Sequence, residues 1–185
     1  IANADSGRIS IYNMLTKQYD QCLHLNDGKA IYLGWFDKTH LLIKVPEADQ
    51  QYIKSYDINS EKIKYLFNKE ADIYNAVCTK NSIIGFRINS QDTYNWDVVL
   101  SSKTSLDSVS DLLSIPSDLD QMPKDERPFM FLSQYTPISD SKMFYRFLEC
   151  ETYQPLYCGI IDVDAHTTIE LDKAITSLFE LDSRQ

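Results

Sequence analysis

The chain has 185 residues, of which 43% are hydrophobic and 24% charged, enough apolar material for one substantial core and too much for a disordered segment. Its formal net charge of −9 repels a phosphate backbone, and no basic patch offsets it, so nucleic acid is excluded as the expected partner. No apolar run approaches the roughly 18–20 residues that cross a bilayer, so membrane insertion is not expected.

Aromatics make up 12% of the chain, led by 12 Tyr, while Gly numbers only 5, a composition that favours strands joined by Asn, Asp and Ser turns. In chain order, "ISIYNMLTKQYDQCL" reads as a hairpin around Thr16-Lys17. "AIYLGWF", the turn "DKT" and "HLLIKVP" form a second pair. "QQYIKSYDI", the polar turn "NSEK" and "IKYLF" follow, the second run in register to bury Ile63 and Tyr65, or else Lys64's neighbours on the other face. Then come "IYNAVCT", "KNS" and "IIGFRI", and after them "VVLSSKTSLDSV". Within the last of these, Leu106, Val109, Leu112 and Leu113 lie at helical intervals behind Ser105 or Asp107 as cap, which predicts a short helix.

The stretch from Ser114 to Pro128, "SIPSDLDQMPKDERP", is an inserted loop. Its Asp118, Asp120, Asp125 and Glu126 form an acidic strip that a basic protein partner can read, or else a solvated linker. "FMFLSQY", a turn at "SDSK" and "MFYRFLEC" resume the strands, and "GIIDVDAHTTIEL" gives another hairpin. "DKAITSLFEL" sets Ala174, Ile175, Leu178 and Phe179 on one helical face behind Asp172, predicting a short C-terminal helix.

These runs repeat. Tyr12-Asn13, Tyr56-Asp57 and Leu100-Ser101 are spaced by 44 residues, and Ile161-Asp162 stands 105 after Tyr56, in each case just before a small polar turn. A period of that size, with three or four short strands per unit, is the mark of radially repeated antiparallel meanders. The units run over about 1–28, 29–70, 71–115 and 128–185, with 114–128 between the last two. The fold expected is all-β and mainly antiparallel: one domain, a partial β-propeller of about three and a half blades. Because the chain opens on Ile1 and rings close at roughly four to eight blades, it is expected to be a fragment, with the remaining blades coming from the same or another chain. A single closed barrel of the lipocalin type is the competing architecture.

"ISIYNMLTKQYDQCL" and "IKSYDINSEKIKYLF" resemble the third and fourth strands of a WD-repeat blade, in which an aromatic-Asp pair closes one strand before a Ser/Thr-Lys turn. "GWFDKTHLLIKV" is similar to the first turn of WD-repeat and TolB/tricorn-like blades. The Gly-His dipeptide of WD repeats is absent, so that family's Asp–His network is not carried over.

Chemistry is scarce. Of the three histidines, His24 and His40 have no Ser or acidic partner at a telling spacing, and no phosphate loop or dinucleotide fingerprint occurs. Asp162, Asp164 and His166 alternate and would share one face of an extended strand, open to a divalent cation; the plainer reading makes "DVDAH" a turn. Cys22, Cys78, Cys150 and Cys158 lack a CxxC pair; a hairpin centred on Gln154 would set Cys150 against Cys158 for a disulfide, while the plainer reading makes them two half-buried free thiols. Trp35, Phe36, Phe86, Tyr94 and Trp96 read as core and edge packing. The expected role is a non-enzymatic scaffold for protein–protein interaction, without cofactor or metal, in the cytoplasm. The alternatives are a substrate-gating propeller of a peptidase or periplasmic assembly factor, and a secreted small-ligand barrel.

Overall fold

A computed structural model of the chain describes residues 2–5, 8–24, 30–48, 50–89, 94–115, 122–123 and 126–172. The strands are β1 (Ala2–Asp5), β2 (Arg8–Asn13), β3 (Gln18–His24), β4 (Ile31–Trp35), β5 (His40–Glu47), β6 (Gln50–Asp57), β7 (Ile63–Tyr65) and β8 (Asn75–Cys78), followed by β9 (Ser82–Ile88), β10 (Trp96–Ser102), β11 (Ser105–Ile115), β12 (Met130–Pro137), β13 (Lys142–Glu149), β14 (Pro155–Asp162) and β15 (Thr167–Glu170). They pair in four sheets: β1-β2-β3, β4-β5-β6-β7, β8-β9-β10-β11 and β12-β13-β14-β15. Every ladder is antiparallel and joins strands adjacent in sequence, so each sheet is a meander and the fold is all-β. Among the described residues the strands thus form separate sheets and not one closed barrel.

The sheets pack face to face in chain order. Ile9 and Ile11 of β2 meet Leu41, Ile43, Val45 and Tyr56 of the second sheet. The opposite face of that sheet turns Leu42 and Ile53 toward Ala76, Ile83 and Val99 of the third. The third in turn presses Ile84, Phe86, Trp96 and Val98 on Met143, Tyr145, Phe147 and Ile161 of the fourth. A middle sheet is therefore covered on both faces, which is why β5 reads "HLLIKV" instead of alternating. Leu41, Leu42 and Ile43 are all fully buried, each worth about 1.5–3 kcal/mol of apolar transfer. The first strands also touch in succession, β1 against β4, β4 against β8 and β8 against β12.

A polar stitch crosses these layers. Lys44 of β5 is only 7% exposed; its ammonium donates to Asn75 Oδ1 at 3.2 Å and lies 4.5 Å from the Tyr74 ring centroid. Tyr135 of β12 donates to the same oxygen at 3.4 Å. Burial lowers the pKa of Lys44 and pushes that of Tyr135 up to about 12.

Two expectations are corrected, and the two readings of Cys150 and Cys158 are separated. Residues 105–115 form β11 and no helix; its register jumps twice, between Val98 and Val99 and between Ser101 and Ser102 of its partner, so bulges supply the spacing that imitates a helical stripe. Ile63 and Tyr65 are 47% and 36% exposed, because β7 is the outermost strand of its sheet. Cys150 and Cys158 are free thiols: Cys158 pairs with Arg146, while Cys150 sits at the hairpin bend, where Glu149 N donates to Gln154 O and Tyr153 N to Glu149 O. The predicted C-terminal helix lies outside the described residues, apart from its candidate cap, Asp172.

Candidate functional site

The sheets have two chemically different ends. One carries the turns that close β2–β3, β4–β5, β6–β7, β8–β9, β10–β11, β12–β13 and β14–β15, and polar side chains knit it shut. Asn13 Oδ1 accepts from the backbone of Leu15 at 2.9 Å and Thr16 at 3.3 Å. Asp57 accepts from Asn59 N at 2.9 Å and Ser60 Oγ at 2.6 Å. Asp162 accepts from Ala165 N at 3.1 Å. In each case the residue four positions on, Lys17, Glu61 or His166, takes a left-handed φ of 55°, 58° or 53°. The acid or amide of the repeated pair is therefore the cap of one recurring turn. Those hydrogen bonds hold the carboxyls of Asp57 and Asp162 below the usual range.

At the same end Asp37 Oδ1 accepts from Thr39 N and His40 N, both at 2.8 Å, and lies 2.9 Å from His40 Nδ1. A backbone bond then ties neighbouring turns in each complete sheet: Ile58 N to Thr39 O, Lys103 N to Asn81 O, and Val163 N to Ser141 O. His40 and His166 are thus turn residues, and His24 lies in β3. Because 163–166 is a bend, the alternation that would have aligned Asp162, Asp164 and His166 is broken. Among the described residues no group of three His, Cys, Asp or Glu side chains is placed to hold a metal ion.

The other end carries the β5–β6, β9–β10 and β13–β14 turns and the links between sheets, and it is more open. One cleft of about 360 Å³ is bordered by Arg87, Asn89, Asp97, Asp111 and Ser114. Its charges satisfy one another: Arg87 reaches Asp97 at 3.4 Å and Asp111 at 2.7 Å, and Asp97 also accepts from Asn89 at 2.9 Å and Ser114 at 2.7 Å. That network braces the sheet and offers a ligand little.

A larger cleft of about 590 Å³ lies between the third and fourth sheets, bordered by Tyr94, Glu126, Arg127, Phe129, Glu149, Cys150 and Glu151. Tyr94 and Phe129 stack with centroids 4.8 Å apart and planes inclined by 29°. Phe129 is nevertheless 58% exposed, and nearby Tyr153, edge-on to Phe131 at 5.8 Å, is 67% exposed. Phe129 O accepts from Cys150 N at 2.8 Å, fixing the aromatic strand entry to the β13–β14 turn. Glu149 is engaged by the Thr152 hydroxyl, and Arg127 Nε donates to Met122 O at 3.0 Å. The carboxylates of Glu126 and Glu151 have no hydrogen-bonding or ionic partner among the described residues, and both are exposed.

Of the acidic strip read from sequence, Glu126 stands at this cleft, whereas Asp118, Asp120 and Asp125 lie outside the described residues. Ser114 and Ile115 belong to β11, so the link between the third and fourth sheets is shorter than the inserted loop expected. Phe129, Tyr94 and Tyr153 were not distinguishable as surface aromatics; Pro128 just ahead of Phe129, breaking the strand start, is the one local hint.

No family model matches the chain, and no curated protein matches it. Among solved structures it is similar to the 1.18 Å crystal structure of an uncharacterized protein, lmo1340, from Listeria monocytogenes EGD-e, with 14% identity, a TM-score of 0.48, and coverage of 76% of this chain and 39% of that one. The chain thus spans about two fifths of that protein's length.

Proposed function

We propose that this chain supplies blades of a β-propeller that acts as a non-enzymatic platform for protein–protein contact, the rest of the ring coming from the same or another chain. Support for the radial arrangement comes from the three four-stranded meanders and the successive contacts of their first strands. Support for a contact role comes from one observation above all. At the cleft beside Phe129, exposed aromatics and unpaired carboxylates coincide, while the opposite end spends its polar groups on its own turns. Exposed aromatic side chains ringed by polar groups are the usual make-up of interaction hot spots. Architecture alone would not carry the reading, since one fold hosts many functions.

The test is site-specific photocross-linking in cells, with a benzophenone amino acid at Phe129 or at Asn59 of the β6–β7 turn. The proposal expects a discrete protein adduct from position 129 and none from position 59. Adducts confined to position 59, or none from either, overturn it.

A further inference from the structure

We infer that the cleft beside Phe129 is a receptor for a cationic side chain, an arginine of a partner polypeptide for choice. The inference rests on the platform reading above and specifies its ligand.

Two features converge. The Tyr94–Phe129 stack occupies one face of the Phe129 ring, yet the residue remains 58% exposed, so aromatic surface is left open to solvent. A planar guanidinium stacks on such a surface and is attracted to its π face. Second, among the described residues the cleft is bordered by three carboxylates, Glu126, Glu149 and Glu151, and one guanidinium, that of Arg127, and Glu126 and Glu151 are unpaired. An incoming guanidinium has five N–H donors and carboxylates accept them two at a time. Elsewhere the chain already pairs cations with rings, Lys54 with Tyr65 at 4.2 Å and Lys103 with Phe36 at 5.1 Å. At Phe129 the exposed ring and two unpaired carboxylates stand together, and Arg127, the one cation among the described residues that border the cleft, is engaged with Met122 O. A carboxylate or phosphate ligand would meet repulsion there, and a purely aliphatic segment would leave both unpaired carboxylates desolvated.

The full chain, uniformly labelled with nitrogen-15, is titrated with the peptide Ac-Gly-Arg-Gly-Arg-Gly-NH2 and with its citrulline counterpart, which keeps the shape and loses the charge. The arginine peptide is expected to shift the amides of Tyr94, Phe129, Glu151 and Tyr153, and the citrulline peptide to bind at least about tenfold more weakly. Phe129→Ala weakens the arginine peptide about fivefold and Phe129→Tyr does not. Glu126→Gln with Glu151→Gln weakens it and flattens its dependence on salt. Equal binding of the two peptides, shifts mapping to another surface, no binding, or indifference to Phe129→Ala each overturns the inference. If the cross-link from position 129 persists in any of those cases, the platform reading stands and only its ligand is wrong; if it is lost as well, both fall.

Discussion

Gly159→Ala measures how tightly the fourth sheet is built. A Cβ at this position of β14 would lie 2.5 Å from the backbone oxygen of Ile169 and 2.7 Å from the Tyr145 hydroxyl. The first distance is about 0.8 Å short of an ordinary carbon–oxygen contact. Neither neighbour can give way easily. Tyr145 is fully buried, and the Ile169 oxygen belongs to β15, whose ladder to β14 includes Gly159↔Glu170 and Ile160↔Ile169. Overpacking of this kind costs about 1–3 kcal/mol, and the smaller backbone entropy of Ala in the unfolded chain returns about 0.5–1 kcal/mol. The net expectation is a loss of about 1–2 kcal/mol, read by urea unfolding, with faster amide exchange in β15 than in the second sheet. Gly85→Ala is the control: its closest neighbours are side-chain methyls, Val99 Cγ2 at 2.9 Å and Ile73 Cγ2 at 3.0 Å, so the cost should be smaller. A Gly159→Ala protein as stable as the parent, with β15 equally protected, would refute the reasoning.

Glu61 at φ 58° accepts left-handed strain that Gly would not, so Glu61→Gly should raise stability by about 0.5–1 kcal/mol and Glu61→Val lower it, both by urea unfolding. Lys44 has a lowered folded pKa because it is buried, so the native chain binds fewer protons than the unfolded chain between that value and 10.5. Its destabilising contribution is full below the folded value and is relieved as pH rises toward 10.5, so the parent should gain on Lys44→Met across that interval; parallel stability–pH curves would contradict this. Of Cys78, Cys150 and Cys158, exposed Cys150 should alkylate first in the native chain, since burial raises the pKa of Cys78 to about 11 and also raises that of Cys158; peptide mapping after a short iodoacetamide pulse checks it.

The meanders were legible because their turns are local chemistry. Asn13, Asp57 and Asp162 cap their bends through atoms two or three residues away, and such short-range bonds leave a mark at fixed spacing. Helix and strand were confused at β11 because a bulge inserts a residue: Val98 faces Leu113 and the next residue, Val99, faces Asp111, so Leu112 is passed over in the ladder. The exposure of Ile63 and Tyr65 was hidden for a different reason: β7 carries apolar residues at the outer edge of its sheet, and edge position is a property of the assembled sheet. The cleft was half readable. Glu126 stood out by charge, but the openness of Phe129 depends on how the β13–β14 turn meets the start of β12, a contact between segments far apart in the chain.

The radial arrangement on which the account rests is tested most directly by electron–electron distance measurements between spin labels on ketone-bearing residues. One pair replaces Ile31 of β4 and Phe131 of β12, both at the starts of first strands; the other replaces Ile63 of β7 and Ile169 of β15, in last strands. Sheets set around an axis fan outward, so the account predicts a clearly longer separation for the Ile63–Ile169 pair than for the Ile31–Phe131 pair. Equal separations, as in a parallel stack of sheets, would contradict it.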